Sequence, residues 1–438
     1  MKTSKSIMLR LLLVLVAAVA FLAFACNDDE DDGDGGPEPT AGDETPVAGG
    51  DLSDIPEDTT GVTDTEIKLG THMPLTGIAG IYGNAIVPGM QAYIDFINDT
   101  EGGVNGRKIT LLVEDDAFNP SQTNSVVRKL VEQDGVFAIL SGLGTAPHSA
   151  VFEYLIENKI PDLFTATGAT KFTEPITRTA FGYNPNYIEE GQALGGYIAE
   201  TYPDGKLGLL IQNDDFGRDG AAGVETGLEG SNVEIISTET YEAEQTDMTS
   251  QVQRLQNAGA TVVAAYALPR QAGSLVAVAR QQLEWDVPII VSGVVADQLT
   301  IALMNNGVPG TSVGVVTAAY LKPLETLNDE GIEKHKEILA QYAPDATPSN
   351  ITVYGQSVAE LAVEVLKRAG QDLNRRSVIE AGESVRDFTC SVCLGAINLS
   401  ATDHRPIQVF QLAEVRTVDG KEAFVPFGEL ISYESTED

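Results

Sequence analysis

The chain has 438 residues, with 27 Lys and Arg against 64 Asp and Glu for a formal net charge of -37. That length exceeds one compact core at ~150 residues per domain and implies two lobes, while the acidity excludes a nucleic-acid binder working through a basic surface. With 6% aromatic residues, 43 Gly and 20 Pro, and no fixed-period repeat, fibrous and solenoid architectures are excluded too, in favour of short elements joined by turns.

Met1 to Arg10 carries Lys2, Lys5 and Arg10, and an uninterrupted apolar run of about 14 residues, Leu11 to Phe24, follows. A basic start and so short a run read as a secretory signal over residues 1–25, since a bilayer span needs roughly 20 apolar residues. Ala23-Phe24-Ala25-Cys26 resembles a bacterial lipobox, with Ala23 where the pattern usually has Leu. The resemblance implies lipidation of Cys26 and a chain exported across the cytoplasmic membrane and anchored to its outer face, in the periplasm or at the cell surface. The alternative is a soluble secreted protein whose signal ends in Cys. Residues 27–66 hold no Lys or Arg and fifteen Asp and Glu. Such a segment cannot build a core, so 26–66 is expected to be a disordered acidic tether reaching roughly 35 Å.

From Ile67 onward, strand and helix patterns alternate. Strands are expected at Ile67 to Thr71, Lys108 to Glu114, Val136 to Leu140 and Asp162 to Thr165, with helices at Gly83 to Asp99, Pro120 to Gln133 and Pro147 to Asn158 between them. Val126, Val127, Leu130 and Val131 fall at helical spacing on one face. The pattern restarts after Gly182-Tyr183-Asn184-Pro185, with helices at 187–201, 217–227, 247–257 and 271–283 and strands at 206–212, 233–237, 261–265 and 287–291. Ser312 to Tyr320 reads as a strand, and helices at 329–342 and 351–369 follow without a strand between them. The fold class is therefore α/β, two similar lobes of parallel sheet flanked by helices around a central cleft. The first lobe takes 67–183 and 317–402. The second takes 184–316, and the C-terminal segment 403–438 returns to it, for three chain crossings.

Cys390 and Cys393 form an even pair in an exported chain, which favours a small structural disulfide. Free thiols or a redox pair are the alternatives, the latter disfavoured because Leu394 to Leu399 reads as a strand and not as the helix that would activate a thiol.

Met73-Pro74-Leu75-Thr76-Gly77, Tyr82-Gly83, Gly102-Gly103-Val104-Asn105-Gly106-Arg107, Asp115-Asp116 and Asn119-Pro120 open a series of motifs in order. It continues through Gly142-Leu143-Gly144-Thr145, Ala166-Thr167-Gly168-Ala169-Thr170, Gln212-Asn213-Asp214-Asp215-Phe216-Gly217, Tyr354-Gly355 and Ser400-Ala401-Thr402-Asp403-His404. The series resembles bacterial type I periplasmic binding proteins of the branched-chain amino acid class, the extracytoplasmic receptors of ABC importers, and covers nearly everything from Ile67 onward. By motif position the resemblance implies that Gly142, Leu143, Gly144 and Thr145, with Gly168, Ala169 and Thr170, hold a ligand's carboxylate or other acceptor through hydroxyl and backbone N–H groups. The bland alternative for these residues is glycine turns and helix caps. Tyr82 and Phe216 take the aromatic positions at the edges of the two lobes. Ala267 and Arg270 lie on the loop after the second lobe's third strand. The loop after its fourth strand, Ser292 to Asp297, lacks a carboxylate at the place where leucine-type receptors grip an ammonium. The expected ligand is thus a small polar metabolite: an amino acid, an amide or a small organic acid. The implied partners are that small molecule, an ABC permease in the membrane and the lipid anchor, for a monomer with no nucleic acid. A sensory binding protein reporting to a membrane receptor is the alternative function.

Enzymatic readings fare worse. Gly77, Gly80 and Gly83 are spaced GxxGxxG and not as a dinucleotide fingerprint, so no cofactor is expected. His72, His148, His335 and His404 are isolated in sequence, without metal-ligand spacing. Asp115-Asp116 and Asp214-Asp215 read as solvated loop acids or helix caps, and no catalytic residue is assigned.

Overall fold

The computed structural model describes residues 52–324 and 328–433. The expected signal 1–25, Cys26 and the acidic stretch through residue 51 lie outside the described residues. The first sheet is built from β1 (Glu66–Met73), α1 (Gly80–Thr100), β2 (Lys108–Asp115), α2 (Pro120–Arg128), β3 (Ala138–Leu140), α3 (Thr145–Ser149), α4 (Phe152–Glu157), β4 (Asp162–Thr165) and β5 (Ala180–Gly182). Its five strands are parallel in the order β2-β1-β3-β4-β5. The order reverses beside β1, which opens a crevice at the strands' carboxyl ends. Leu69 to Met73 of β1 are buried without interruption, as in a parallel strand covered on both faces. Asn119 starts α2 by accepting the Ser121 and Gln122 N–H groups at 3.0 and 3.2 Å, with Pro120 in the first turn.

The second sheet takes α5 (Tyr187–Thr201), β6 (Lys206–Gln212), α6 (Asp215–Gly227), β7 (Glu234–Tyr241), α7 (Thr249–Ala258), β8 (Val262–Tyr266), α8 (Pro269–Ala277), β9 (Ile289–Val291), α9 (Gln298–Asn305) and β10 (Val316–Ala319). The chain then crosses back with α10 (Glu330–Tyr342), α11 (Asn350–Ala369) and α12 (Arg375–Glu383) before the hairpin β11 (Val409–Val418) and β12 (Lys421–Ser432). The sheet order is β12-β11-β10-β9-β8-β6-β7, with β11 antiparallel to both neighbours. Helix α11 returns to the first lobe by crossing α1 at two glycines. A Cβ on Gly89 would lie 2.2 Å from the Thr352 carbonyl oxygen, and one on Gly355 2.2 Å from that of Ile86, so the backbones meet only because both side chains are hydrogen.

Four expectations need correction. The folded part begins well before residue 66. Ile55 is 1% exposed in the core, Asp58 pairs with Arg375 at 2.9 Å, and the Arg376 guanidinium donates to the Ile55 carbonyl. Local composition could not show this, because the partners come from α12 more than 300 positions away. The boundary expected at 316 falls at the head of β10, which pairs with β9 and β11 and belongs to the second sheet. Leu394 to Leu399 forms no strand, only isolated bridges such as Phe388 to Ile397, since turns at either side leave no partner for a ladder. The helix expected over 147–158 is two short ones, α3 and α4. Cys390 and Cys393 lie with Cα atoms 5.1 Å apart, within bridging reach. Among the described residues no helix is long and apolar enough to cross a membrane.

Candidate functional site

The carboxyl ends of both sheets and the start of α11 enclose a cavity of about 110 Å³, measured as room for the centre of a water-sized sphere. From the first lobe come Tyr82 and Ile86 of α1, Phe118, Leu143, Gly144, Thr145 and Ala166. Phe216, Leu268, Val294, Asp297 and Phe424 face them from the second lobe, and the crossings add Asn184, Tyr187, Tyr320, Asn350, Ile351 and Tyr354. The wall is largely aromatic: Tyr187 packs on Phe216 with ring centroids 4.8 Å apart, and Tyr354 meets Tyr183 edge-on at 5.2 Å.

The lobes meet across this space. The Tyr82 hydroxyl donates to the Val294 carbonyl at 2.9 Å, the Thr170 N–H donates to Asp219 at 2.8 Å, and Lys171 pairs with Asp215 at 2.8 Å. Asn350 Nδ2 donates to the Ala296 carbonyl at 2.9 Å.

Of the expected site residues, the fold brings Tyr82, Leu143, Gly144, Thr145 and Phe216 to the cavity. Gly142, Gly168, Ala169, Thr170, Ala267 and Arg270 do not line it. Gly142 is small for another reason, because a Cβ there would lie 2.4 Å from His72 Nε2 and 2.9 Å from His148 Nδ1. Gly168 abuts the Pro185 carbonyl, and Ala169 is core. Thr170 gives its N–H to Asp219, and its hydroxyl meets Asn186. Ala267 is buried behind Leu268, while Arg270 is exposed beside Gly77, Ile78 and Asn119 at a surface groove.

Charge is scarce here. No Lys, Arg or His is among the lining residues, and Asp297 is the one acid. Asp297 is 1% exposed, and its oxygens are already committed, Oδ1 to the Leu299 N–H at 2.8 Å and Oδ2 to the Ile351 N–H at 3.1 Å. It caps α9 and ties it to α11. Burial pushes its carboxyl up, against those backbone donors. Thr145 shares a hydroxyl contact of 2.7 Å with Thr167, and Asn184 accepts the Tyr354 hydroxyl at 2.8 Å. The Tyr320 hydroxyl has no partner among the described residues.

Tyr320, Tyr354 and Asn184 were not singled out as ligand contacts from the sequence; Tyr354-Gly355 was noted only as a family motif. Glu190 of α5 carried no signal at all. Buried at 3% exposure, it accepts the Gly293 N–H and the Ser292 hydroxyl, and burial pushes its carboxyl up to about 7. It thereby anchors the loop whose Gly293 and Val294 form part of the wall. Of the acid pairs, Asp214 is a helix cap, accepting the Gly217 N–H at the head of α6. Asp215 is partly exposed and held low by Lys171 and Arg218 although burial opposes them, whereas Asp116 departs from the expectation by being fully buried.

The sequence profile of a family described as periplasmic binding protein matches residues 66–422. A Leu/Ile/Val-binding protein homolog 2 from Brucella abortus (strain 2308) is 28% identical over 216 residues, 49% of this chain and 58% of that protein. The chain thus spans less than two thirds of that relative. Homolog 1 from the same strain is 25% identical over 288 residues, 64% of this chain and 76% of the relative. Among solved structures, a fatty acid ABC transporter substrate-binding protein from Thermomonospora curvata superposes with a TM-score of 0.76 at 23% identity, covering 86% of this chain and 95% of the other. A branched chain amino acid ABC transporter protein from Thermus thermophilus with bound valine gives 0.74 at 19%, covering 85% and 97%. A solute binding protein from R. palustris in complex with 4-hydroxybenzoate gives 0.72 at 16%, covering 84% and 97%. At these identities the structures establish the fold.

Proposed function

The chain belongs to the periplasmic binding protein family, and we propose that it is an extracytoplasmic receptor that captures a small organic acid or amide with an apolar or aromatic body and delivers it to an ABC importer. Family members bind solutes and are not enzymes. One observation carries the choice of ligand: the cavity is walled by aromatic and aliphatic side chains, and its one acid has both oxygens committed to backbone N–H groups. An α-amino acid would bury its ammonium there without a free counter-charge, which is strongly unfavourable. An amide brings no charge, and an acid brings one charge where an amino acid brings two. The carboxylate oxygens can accept from neutral donors, which the Thr145 and Tyr320 hydroxyls and the Asn184 amide supply. Solved relatives named for a fatty acid and bound to 4-hydroxybenzoate keep such ligands within the reach of this fold. Lipidation at Cys26, anchoring to the outer face of the membrane, a monomeric state and a Cys390–Cys393 disulfide complete the proposal.

The test is mass spectrometry of the molecule carried by gently purified protein, followed by calorimetric titration of benzoates, short fatty acids and branched-chain amino acids. Tightest binding by an acid or amide lacking an α-ammonium supports the reading. Tightest binding by L-valine or L-leucine overturns it.

A further inference from the structure

Each of the four histidines in the chain is at most 1% exposed, and two of them, 76 positions apart, touch. His72 Nδ1 is 2.8 Å from Asp116 Oδ2, His72 Nε2 is 3.0 Å from His148 Nδ1, and His148 Nε2 is 2.7 Å from Asp162 Oδ2. The sequence reading of isolated imidazoles fails here, because β1 and α3 become neighbours only in the fold. Each of these three contacts needs one proton between two atoms that otherwise present lone pairs. Two neutral imidazoles bring only two. If both gave their N–H to the flanking carboxylates, His72 Nε2 and His148 Nδ1 would face each other lone pair to lone pair.

We infer that the chain of side chains Asp116–His72–His148–Asp162 holds a third proton, making His148 a buried imidazolium that donates to both His72 and Asp162, and that this proton positions the wall of the ligand cavity. His72 is the ring that stays neutral: burial lowers its affinity for a second proton, opposed by the Asp116 hydrogen bond and reinforced by His148. Asp116 presents acceptors to this chain: Oδ1 accepts the Phe118 N–H at 2.9 Å, and Oδ2 is 3.0 Å from the Thr123 hydroxyl. Asp162 Oδ2 also lies 3.2 Å from the Thr165 hydroxyl. The rest of the surroundings among the described residues is uncharged, Phe152 and Phe172 packing on His148 and the backbone of Gly142 on the contact between the rings.

The chain reaches the cavity at three points. Asp116 fixes the Phe118 N–H, the His72 carbonyl accepts the Leu143 N–H at 3.2 Å, and the His148 N–H closes on the Gly144 carbonyl at 2.9 Å. Phe118, Leu143 and Gly144 all line the cavity. None of this depends on which ligand binds.

A pH signature follows. The folded pair holds one proton beyond two neutral rings, whereas the unfolded chain holds two below about 6.5 and none above it. Below that pH the unfolded state binds more protons, so the pair's contribution to stability rises with pH. Above it the folded state binds more, and the contribution falls as pH climbs through the folded value. It peaks near pH 6.5.

The experiment is a nitrogen–proton correlation spectrum of the imidazoles in the full chain labelled at histidine, where only four residues report. Three nitrogen-bound protons shared by His72 and His148 at neutral pH are expected; two overturn the inference. Because this is read on the unsubstituted protein, a variant that fails to fold does not matter. For the pH signature, unfolding free energy is followed against pH for wild type and for a variant in which both rings are replaced, His72→Gln with His148→Gln. The difference should pass through a maximum near 6.5, and a monotonic difference refutes the third proton. For positioning, exchange of the Phe118 and His148 amides should accelerate beyond the intrinsic rise with pH as the third proton leaves. Exchange that follows only the intrinsic rise overturns that part.

Discussion

Asp297→Asn separates a cap from a counter-ion. In the fold, both Asp297 oxygens accept backbone N–H groups, one from Leu299 in α9 and one from Ile351 in α11. Asparagine keeps one acceptor oxygen and turns an N–H₂ toward the other donor, so one charge-assisted bond is lost and a buried N–H is left without a partner. Such bonds are worth about 1.5–3 kcal/mol. Removing a carboxylate that burial already disfavours offsets part of this, leaving a net loss of about 1–2 kcal/mol. Urea unfolding measures it as a lower midpoint at unchanged slope, and Asp297→Ala, which removes both acceptors, should lose roughly twice as much. Affinity should change little for an acid or amide ligand. Unchanged stability together with abolished binding of L-valine would refute the reasoning, because it would make Asp297 the partner of an ammonium.

Ile55→Ala should cost about 2–5 kcal/mol in urea unfolding, as a large-to-small change in the core, and a chain trimmed to begin at Gly61 should be destabilised where one beginning at Asp51 is not; equal stability of the two trimmed chains would return residues 52–60 to the tether. Glu190, whose carboxyl is raised from 4.5 to about 7, contributes stability that is complete below 4.5 and is lost as pH rises through 7. Glu190→Gln keeps the oxygen facing Gly293, so wild type should lose about 3 kcal/mol against it across that window, and parallel pH profiles would sink the claim. A fatty acid supplied metabolically should label the wild type and not Cys26→Ser, with equal labelling ending the lipoprotein reading.

What the sequence carried was local. Leu69 to Met73 and the helical spacing of Val126 to Val131 report burial through periodicity, and ordered motifs such as Gly142 to Thr145 place a loop at the cleft. Motif position does not tell which way a loop residue faces. Thr170 sits where a ligand donor is expected, yet its N–H goes to Asp219 on the opposite lobe. Tyr320, Asn184 and Tyr354 come from the chain crossings, where neither period nor motif predicts which face meets the cavity. The partners of His72 and Asp58 lie 76 and 317 positions away, and no local pattern encodes such distances. Gly142 shows the same limit: its missing side chain makes room for two imidazoles and not for a ligand.

The contacts that join the lobes say where binding energy must originate. Lys171 and Asp215 are 42% and 32% exposed, so their pair is worth about 0–1 kcal/mol. The Tyr82 hydroxyl to the Val294 carbonyl and the Asn350 amide to the Ala296 carbonyl are neutral bonds of about 1 kcal/mol each, while Thr170 to Asp219 and Ile351 to Asp297 add about 1.5–3 each. Opening the lobes fully therefore costs roughly 5–9 kcal/mol of polar contact, net of the bonds to water that replace it, and it also returns Phe216, Tyr187 and the facing wall to water. A ligand shifts such an equilibrium only by what it gains in the closed arrangement. With no free charge in the wall, that gain comes from dehydrating an apolar body, and selectivity then follows the shape held by Tyr82, Phe118, Phe216, Tyr320 and Tyr354 more than any ion pair.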